Sequence, residues 1–173
     1  MKIAILLAAV LAFPTSAFAR KDKDEAPAHK DGTLSLQKLA TLGKDLQAGE
    51  CKSDSAIPEK LSDLLKKSYD KIELVDDAST VKTGDALATR ITAINAVGGG
   101  AWSGPKYVTI MGTLWKDGAV VGTFTDSRYT TGGMWGGYKG TCSMIDNVNK
   151  ELAKDVTKWL NKPAMDSKLG DAK

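Results

Sequence analysis

Histidine, cysteine and aromatic residues are all scarce in this 173-residue sequence. It contains one histidine and two cysteines, and aromatic residues make up 6% of the chain. A single histidine leaves most histidine-based catalytic schemes and most metal sites without their usual side chains. Two cysteines are too few for a disulfide-dense miniprotein, and a net charge of +3 is too small for the basic surface of a nucleic-acid-binding protein. The length and the 42% hydrophobic content fit one globular domain.

Motifs that carry known chemistries are also missing. The sequence has no HExxH, CxxC or GxSxG motif, and its glycine-rich stretches match neither the GxxxxGK[ST] nor the GxGxxG pattern of phosphate binding. Asp76 and Asp77 are adjacent carboxylates that point to opposite faces of an extended segment, so a charged turn explains them better than a catalytic pair. The sequence therefore predicts no catalytic residue, no metal ligand and no cofactor.

The first residues have the pattern of a secretory signal peptide at residues 1–19. Lys2 supplies a positive charge, residues 3–13 form an apolar run, and a small-x-small cleavage motif ends at Ala19. Such a run rises only about 16 Å as a helix, roughly half the apolar thickness of a bilayer, so it is too short for a membrane anchor. No cysteine follows Ala19 to carry a lipid. We expect cleavage after Ala19 and a periplasmic or secreted protein.

Cys51 and Cys142 are the two cysteines of the chain. In an oxidising compartment two cysteines most simply pair with each other. A redox-active or nucleophilic thiol needs a CxxC spacing or a neighbouring histidine, and neither cysteine has one. We therefore predict a structural disulfide that closes a long loop and stabilises the fold by roughly 4–5 kcal/mol.

The remainder of the chain divides into three parts. Residues 20–32 are rich in charged side chains, so we expect a disordered leader in which the lone His29 is solvent-exposed. Residues 33–163 are predicted to form a single domain. Residues 164–173 are expected to be a frayed tail, because they follow the last periodic helix.

Hydrophobic periodicity predicts an α+β fold with helices packed on an antiparallel sheet. The leucines of residues 34–47 fit a strand or a helix equally well, so that segment stays undecided. Asp117-Gly118 is a strong hairpin turn between two alternating segments. The predicted elements are helices at about 57–69 and 143–161, strands at 71–75 and 87–97, and a hairpin of strands 106–116 and 119–129.

The predicted hairpin register gives two unlike faces. A two-residue turn places Leu114 opposite Val121 on an aliphatic face suited to packing under helices. The other face collects aromatic and charged residues, and its candidate partner-binding residues are Tyr107, Met111, Trp115, Phe124 and Arg128. Two interpretations of this second face remain open. Residues 33–50 cover it as a second packing layer, or it is a surface for a partner or a second copy.

Glycine and aromatic residues concentrate in two loops, 98–105 and 130–141. In an up-down-up meander both loops lie at the same edge of the sheet, beside the N-terminus of the last helix, where backbone N–H groups can bind an anion. The loops and their borders supply a second set of candidate binding residues: Trp102, Lys106, Trp135, Tyr138 and Lys139. The alternative is a rigid, disulfide-tied connection in which glycine only permits tight turns.

The same loops carry a resemblance to known proteins. The segments GGGAWSGPK (98–106), GGMWGGYKGTCS (132–143) and KDVTKWLNKP (154–163) resemble a group of small exported bacterial proteins of unknown function. More loosely, the element order is similar to that of the TolB N-terminal domain and the curli-export lipoprotein family. This resemblance implies an envelope assembly or binding role without chemistry. The chain departs from lipoprotein members because it lacks the lipid-bearing cysteine.

The function predicted from the sequence is a periplasmic or secreted, non-enzymatic binding or assembly module of the bacterial cell envelope. Its expected partner is an envelope protein or a small anionic ligand, with no nucleic acid and no transmembrane anchor. The alternative is a small enzyme or enzyme inhibitor that uses the two glycine-rich loops. A cleft with converging ionisable groups favours the enzyme, whereas a flat aromatic face favours the binding module.

Overall fold

A computed structural model describes residues 30–44, 46, 51–133 and 138–172. The predicted signal peptide with its cleavage site, the leader up to His29, and Trp135 lie outside the described residues. The last residues of the predicted disordered leader, 30–32, instead belong to the first strand, Lys30–Gln37, which pairs within the sheet. The described residues form a seven-stranded sheet and two α-helices.

The helices and strands follow one another in the order ββαββββαβ. A one-turn 3-10 helix follows β3 and another precedes β5. The elements are β1 (Lys30–Gln37), β2 (Thr41–Leu42), α1 (Ser53–Leu65), β3 (Tyr69–Val75), β4 (Asp85–Asn95), β5 (Lys106–Lys116), β6 (Ala119–Thr130), α2 (Thr141–Trp159) and β7 (Ser167–Gly170).

The sheet is mixed, with the strand order β3-β1-β4-β5-β6-β7 and β2 beside β4. The β4-β5-β6 meander is antiparallel, whereas β1 is parallel to both β3 and β4, and β6 is parallel to β7. The α+β fold class is confirmed, but the sheet is not purely antiparallel. Each parallel pair needs a crossover connection, and α1 joins β1 to β3 as α2 joins β6 to β7.

The undecided segment at residues 34–47 begins as a strand. Leu34 and Leu36, two residues apart, are both 0% exposed and face the core, whereas Leu39 is 47% exposed. The two-residue period of a strand therefore determines its first part. Because β1 lies in the plane of the sheet, the described part of residues 33–50 does not form a second layer over the hairpin.

Helix α1 begins and ends four residues earlier than the predicted range of 57–69. Pro58 therefore lies inside the helix, where it cannot donate to the carbonyl of Asp54. That carbonyl instead accepts a 2.8 Å hydrogen bond from the backbone N–H of Ala40. The backbone N–H of Ala40, just before β2, thus replaces the helical donor that Pro58 cannot supply to the carbonyl of Asp54.

Helix α2 spans Thr141–Trp159, two residues earlier at each end than predicted. Its predicted core stripe is confirmed, since all five side chains are at most 6% exposed. They pack with residues of α1 and of β1, β4, β5 and β6 in one hydrophobic core. The stripe consists of Ile145, Val148, Leu152, Val156 and Trp159.

A β-bulge in β6 changes the predicted hairpin register. Trp115 pairs with Val120 as predicted, but Leu114 pairs with Gly122 and not with Val121. Val121 is the extra residue on β6 and is 38% exposed. One extra residue moves all later side chains of a strand to its other face, so the faces predicted for residues 122–130 are wrong.

The C-terminal segment contains a strand where the sequence predicts a frayed tail. Ser167–Gly170 forms β7, which pairs with residues 124–127 of β6. The indole Nε1 of Trp159 donates a 3.0 Å hydrogen bond to the Ser167 hydroxyl. Leu169 packs against the hydrophobic core, so the strand is attached by backbone pairing and by apolar contact.

Candidate functional site

The sheet face away from the helices carries most of the exposed large apolar side chains of the hairpin. Tyr107 and Tyr129 are direct neighbours on β5 and β6 and are 38% and 61% exposed, and Met111 is 49% exposed. The hydroxyls of Thr109 and Ser127 lie 2.9 Å apart and hydrogen-bond across the same two strands. We call this surface the open face and define it by Tyr107, Thr109, Met111, Thr113, Trp115, Thr123, Thr125, Ser127 and Tyr129.

The open face contains three of the five residues predicted for a partner surface. Tyr107, Met111 and Trp115 lie on it, because β5 alternates as the sequence indicates. Phe124 does not, since the bulge turns it into the core, where it is 1% exposed. Arg128 lies on the same side as Phe124 and contacts α2.

Arg128 forms an ion pair in place of the predicted partner contact. Its Nε and Nη2 atoms donate to the two carboxylate oxygens of Asp155 on α2, at 2.6 and 2.9 Å. These charge-assisted bonds raise the pKa of the Arg128 guanidinium above its ordinary value. Arg128 therefore joins β6 to α2 and does not contribute to the open face.

A shallow depression of about 790 Å³ lies at one end of the open face. The two tyrosines contribute apolar rings and phenolic hydroxyls, and Asp171 contributes a carboxylate. Residues 170–172 form one wall of the depression. They belong to the segment that the sequence predicts to be a frayed tail. The described lining is Asn95, Pro105, Tyr107, Ser127, Tyr129, Gly170, Asp171 and Ala172.

The described parts of the two glycine-rich loops meet at the N-terminus of α2. The backbone N–H of Gly100 donates to the hydroxyl of Thr141 at 3.1 Å, and that hydroxyl donates to the carbonyl of Val97 at 3.1 Å. Trp102 and Tyr138 are 86% and 89% exposed near this junction. The loops therefore form a second surface with large aromatic side chains.

Lys139 and Lys106 occupy different positions in this loop region. Lys139 is exposed and borders a depression of about 340 Å³ beside the N-terminus of α2. Lys106 is 0% exposed, and its Nζ donates a 2.7 Å hydrogen bond to the hydroxyl of Ser103. Because that hydroxyl also contacts the carbonyl of Gly100, Lys106 holds the turn in place and presents no charge at the surface.

The predicted disulfide is confirmed and attaches the loop region to the rest of the fold. Cys51 and Cys142 are bonded, with their Cα atoms 4.9 Å apart. Cys51 lies two residues before the start of α1, and Cys142 lies in the first turn of α2. The bond therefore joins the N-terminal ends of the two helices.

Several residues of these surfaces are not among the sequence-predicted candidates. The predicted register lacks the bulge and therefore turns Tyr129 away from this face, and Asp171 lies in the segment that the sequence predicts to be a frayed tail. Gly122, a glycine inside a strand, is the feature that indicates a bulge from sequence alone.

The described part of the chain offers neither a metal site nor a membrane-spanning helix. There, no three His, Cys, Asp or Glu side chains are arranged to hold a metal ion. None of the helices described between residues 51 and 172 is long and apolar enough to cross a bilayer.

The chain is similar in fold to several solved proteins. XCC0632 from Xanthomonas campestris, described as a DUF330 protein, is 9% identical, with 78% of this chain and 87% of that chain covered and a TM-score of 0.50. PelC from Paraburkholderia phytofirmans, solved as a dodecamer, is 13% identical over 75% of this chain and 92% of that chain, with a TM-score of 0.49. A minor lipoprotein from Acinetobacter baumannii is 15% identical over 75% and 91% of the two chains, with a TM-score of 0.38.

The similarity to XCC0632 concerns the fold alone, because an identity of 9% does not transfer a function. No protein-family model matches the sequence, and no curated protein is significantly similar to it. The resemblance to the TolB N-terminal domain and the curli-export family stays a prediction.

Proposed function

We propose that this protein is an exported, non-enzymatic binding or assembly module of the cell envelope, and that the open face is its partner-binding surface. The observation that carries the proposal is the exposure of Tyr107, Met111 and Tyr129 on a sheet face that neither described helix covers. Aromatic and methionine side chains are enriched at protein interfaces because they offer large apolar contact areas. Their positions on paired strands keep this surface rigid.

The chemistry of the depression supports binding over catalysis. Asp171 is the only carboxylate among its described lining residues, and it lies 3.8 Å from the guanidinium of Arg128. General acid–base catalysis needs ionisable groups that converge on one reacting position. The two tyrosines, an amide and a hydroxyl around one carboxylate are better suited to contact and hydrogen bonding.

The disulfide supports the proposed location. Structural disulfides persist in oxidising compartments such as the periplasm, and they are rare where thiols are kept reduced. The bond between Cys51 and Cys142 therefore agrees with the export that the N-terminal sequence predicts.

Quantitative capture from envelope extract tests the proposal. The bait is the mature chain that begins at Arg20, compared with a Tyr107→Ser/Tyr129→Ser variant. A Trp102→Ser/Tyr138→Ser variant is the matched control, because it removes two exposed aromatic side chains from the loop surface. We expect the open-face variant to lose a captured protein that wild type and the loop variant retain, at equal bait stability.

Two results would contradict the assignment of the open face. Loss of capture in the loop variant alone would move the binding surface to the loops at the N-terminus of α2. Equal capture by all three baits would show that neither aromatic surface contacts the partner.

A further inference from the structure

The carboxyl group of Asp126 is buried without a well-aligned hydrogen bond. Asp126 is 0% exposed, and neither of its side-chain oxygens has a partner at good hydrogen-bond geometry in the described structure, although the nearby backbone N–H of Ser127 favours the charged form. Buried carboxylates are normally paired or hydrogen-bonded, because an isolated charge loses its hydration in the protein interior. A neutral, protonated carboxyl avoids most of this penalty.

The charged groups that act on Asp126 come from three elements. Arg128 lies two residues along β6, Asp155 lies on α2, and Asp171 directly follows β7. The guanidinium of Arg128 binds both oxygens of Asp155 and also lies 3.8 Å from Asp171. The single positive charge of Arg128 is therefore already shared by the carboxylates of Asp155 and Asp171. Ionisation of Asp126 would add a third negative charge beside it.

The C-terminal segment packs against Asp126 and its neighbours on β6. Leu169 of β7 pairs with Asp126, and the backbone N–H of Asp171 donates to the carbonyl of Ser127 at 2.7 Å. Gly170 approaches so closely that a Cβ atom there would lie 2.5 Å from Asp126 Oδ1 and 2.8 Å from Arg128 Nε. Its φ of +58° is also a conformation that favours glycine. Gly170 thus packs directly against the buried carboxyl group of Asp126, whereas Arg128 and Asp171 stay partly exposed.

The same segment forms one wall of the depression on the open face. Gly170, Asp171 and Ala172 line it opposite the tyrosine pair. If residues 167–171 leave β6, this wall is lost and the edge of β6 becomes available. The attachment of β7 is therefore coupled by geometry to the shape of the proposed binding surface.

We propose that residues 167–171 are a proton-controlled latch, which stays attached to β6 while Asp126 is neutral and detaches when Asp126 ionises. The part of this inference that concerns ligand binding rests on the proposed function, whereas the latch itself does not. Detachment is the least disruptive way to hydrate an ionised Asp126, because β7 is a four-residue strand at the edge of the sheet.

The electrostatic environment places the change in an accessible pH range. Burial, followed by the negative charge of Asp155, raises the pKa of Asp126 to about 8, against the opposing charge of Arg128. An exported protein experiences the pH outside the cytoplasm, so alkaline conditions would open the latch and neutral conditions would keep it closed.

Carbon-13 NMR of the full mature chain tests the latch without any ligand. The methyl signals of Leu169 report attachment, and the side-chain carboxyl signal of Asp126 reports ionisation. Between about pH 6 and about pH 9, we expect the Leu169 methyl shifts of wild type to move towards random-coil values with the same midpoint as the Asp126 titration. The neutral variant Asp126→Asn is expected to keep attached-state shifts throughout.

A second variant opens the latch by sterics alone. Gly170→Ala should give detached Leu169 shifts already at about pH 6, because its Cβ atom would collide with Asp126 and Arg128. If Asp126→Asn does not fold, coincidence of the two wild-type titrations still decides the question. Leu169 shifts that stay constant while Asp126 titrates, or that move equally in Asp126→Asn, would overturn the latch. Loss of the capture result with an intact Leu169 transition would instead overturn only the proposed function.

Discussion

Phe124 and Trp159 pack edge to face, with ring centroids 4.8 Å apart and ring planes inclined by 61°. This pair joins β6 to the last turn of α2 within the hydrophobic core. It depends on two strand glycines. A Cβ atom at Gly112 would lie 2.1 Å from Phe124 Cε1, and one at Gly122 would lie 2.7 Å from Trp159 Cζ2. The rings occupy the space that side chains at these glycines would fill.

Gly112→Ala should therefore destabilise the fold. The added methyl group has to displace the Phe124 ring from its contact with Trp159, and such overpacking costs about 1–3 kcal/mol or more. Urea denaturation measures the loss in free energy of unfolding. Gly98→Ala is the control, because nothing lies within 4 Å of the added Cβ atom at that position. Equal stability of the two variants would refute this packing.

The bulge in β6 predicts different costs for two neighbouring aliphatic residues. Leu114 is 2% exposed, so Leu114→Ala should lower the free energy of unfolding by roughly 2–5 kcal/mol. Val121 is 38% exposed, so Val121→Ala should change it by at most about 0.5 kcal/mol. The bulge-free register predicts that both are buried, and comparably large losses in both variants would favour it.

Much of the fold follows from local patterns, and the errors arise where tertiary contacts intervene. The stripe on α2 and the turn at Asp117-Gly118 are periodic or local, so the sequence predicts them well. Val121 shows the limit, because one inserted residue reverses the side-chain direction of the rest of β6. The register predicted without this residue therefore puts Phe124 and Arg128 on the wrong face of the candidate site and leaves Tyr129 out of it.

Long-range contacts account for two other differences between the predicted and the observed fold, one in α1 and one in the C-terminal segment. Pro58 is tolerated inside α1 because Ala40 satisfies the carbonyl of Asp54, a contact that no local pattern indicates. Strand β7 forms because Leu169 finds an apolar site and an available edge of β6. Its own short, charged segment carries no strong strand pattern.

Removal of the disulfide should weaken the fold without changing its architecture. A Cys51→Ala/Cys142→Ala variant should lose roughly 2–5 kcal/mol of unfolding free energy, because the unfolded chain regains the freedom that the bond removes. Thermal unfolding followed by circular dichroism measures the difference. The native bond itself is checked by thiol titration of the exported protein, where two reactive thiols would contradict it.

The stability should fall as the pH rises, owing to Asp126. Because its pKa is raised from 3.8 to about 8, the folded protein binds more protons than the unfolded chain between these two values. The group therefore stabilises the fold at low pH, and its contribution declines by up to about 1.4 kcal/mol per pH unit across that window.

The Asp126→Asn variant isolates this contribution, because it lacks the titrating carboxyl. Urea denaturation from about pH 5 to about pH 9 should show wild type losing stability relative to the variant until about pH 8, with a constant difference above it. A difference that is independent of pH across this range would show that Asp126 is already ionised in the folded protein.

The separation of the two cysteines also governs when the covalent bond can form. Cys51 precedes Cys142 by 91 residues, and β3, β4, β5 and β6 all lie between them. In a chain that is exported from its N-terminus, as we propose, Cys51 would emerge well before Cys142, with most of the sheet between them. A chain that stops before residue 142 lacks the partner with which Cys51 pairs in the complete fold. An intramolecular bond therefore requires that the chain extends at least through the first turn of α2.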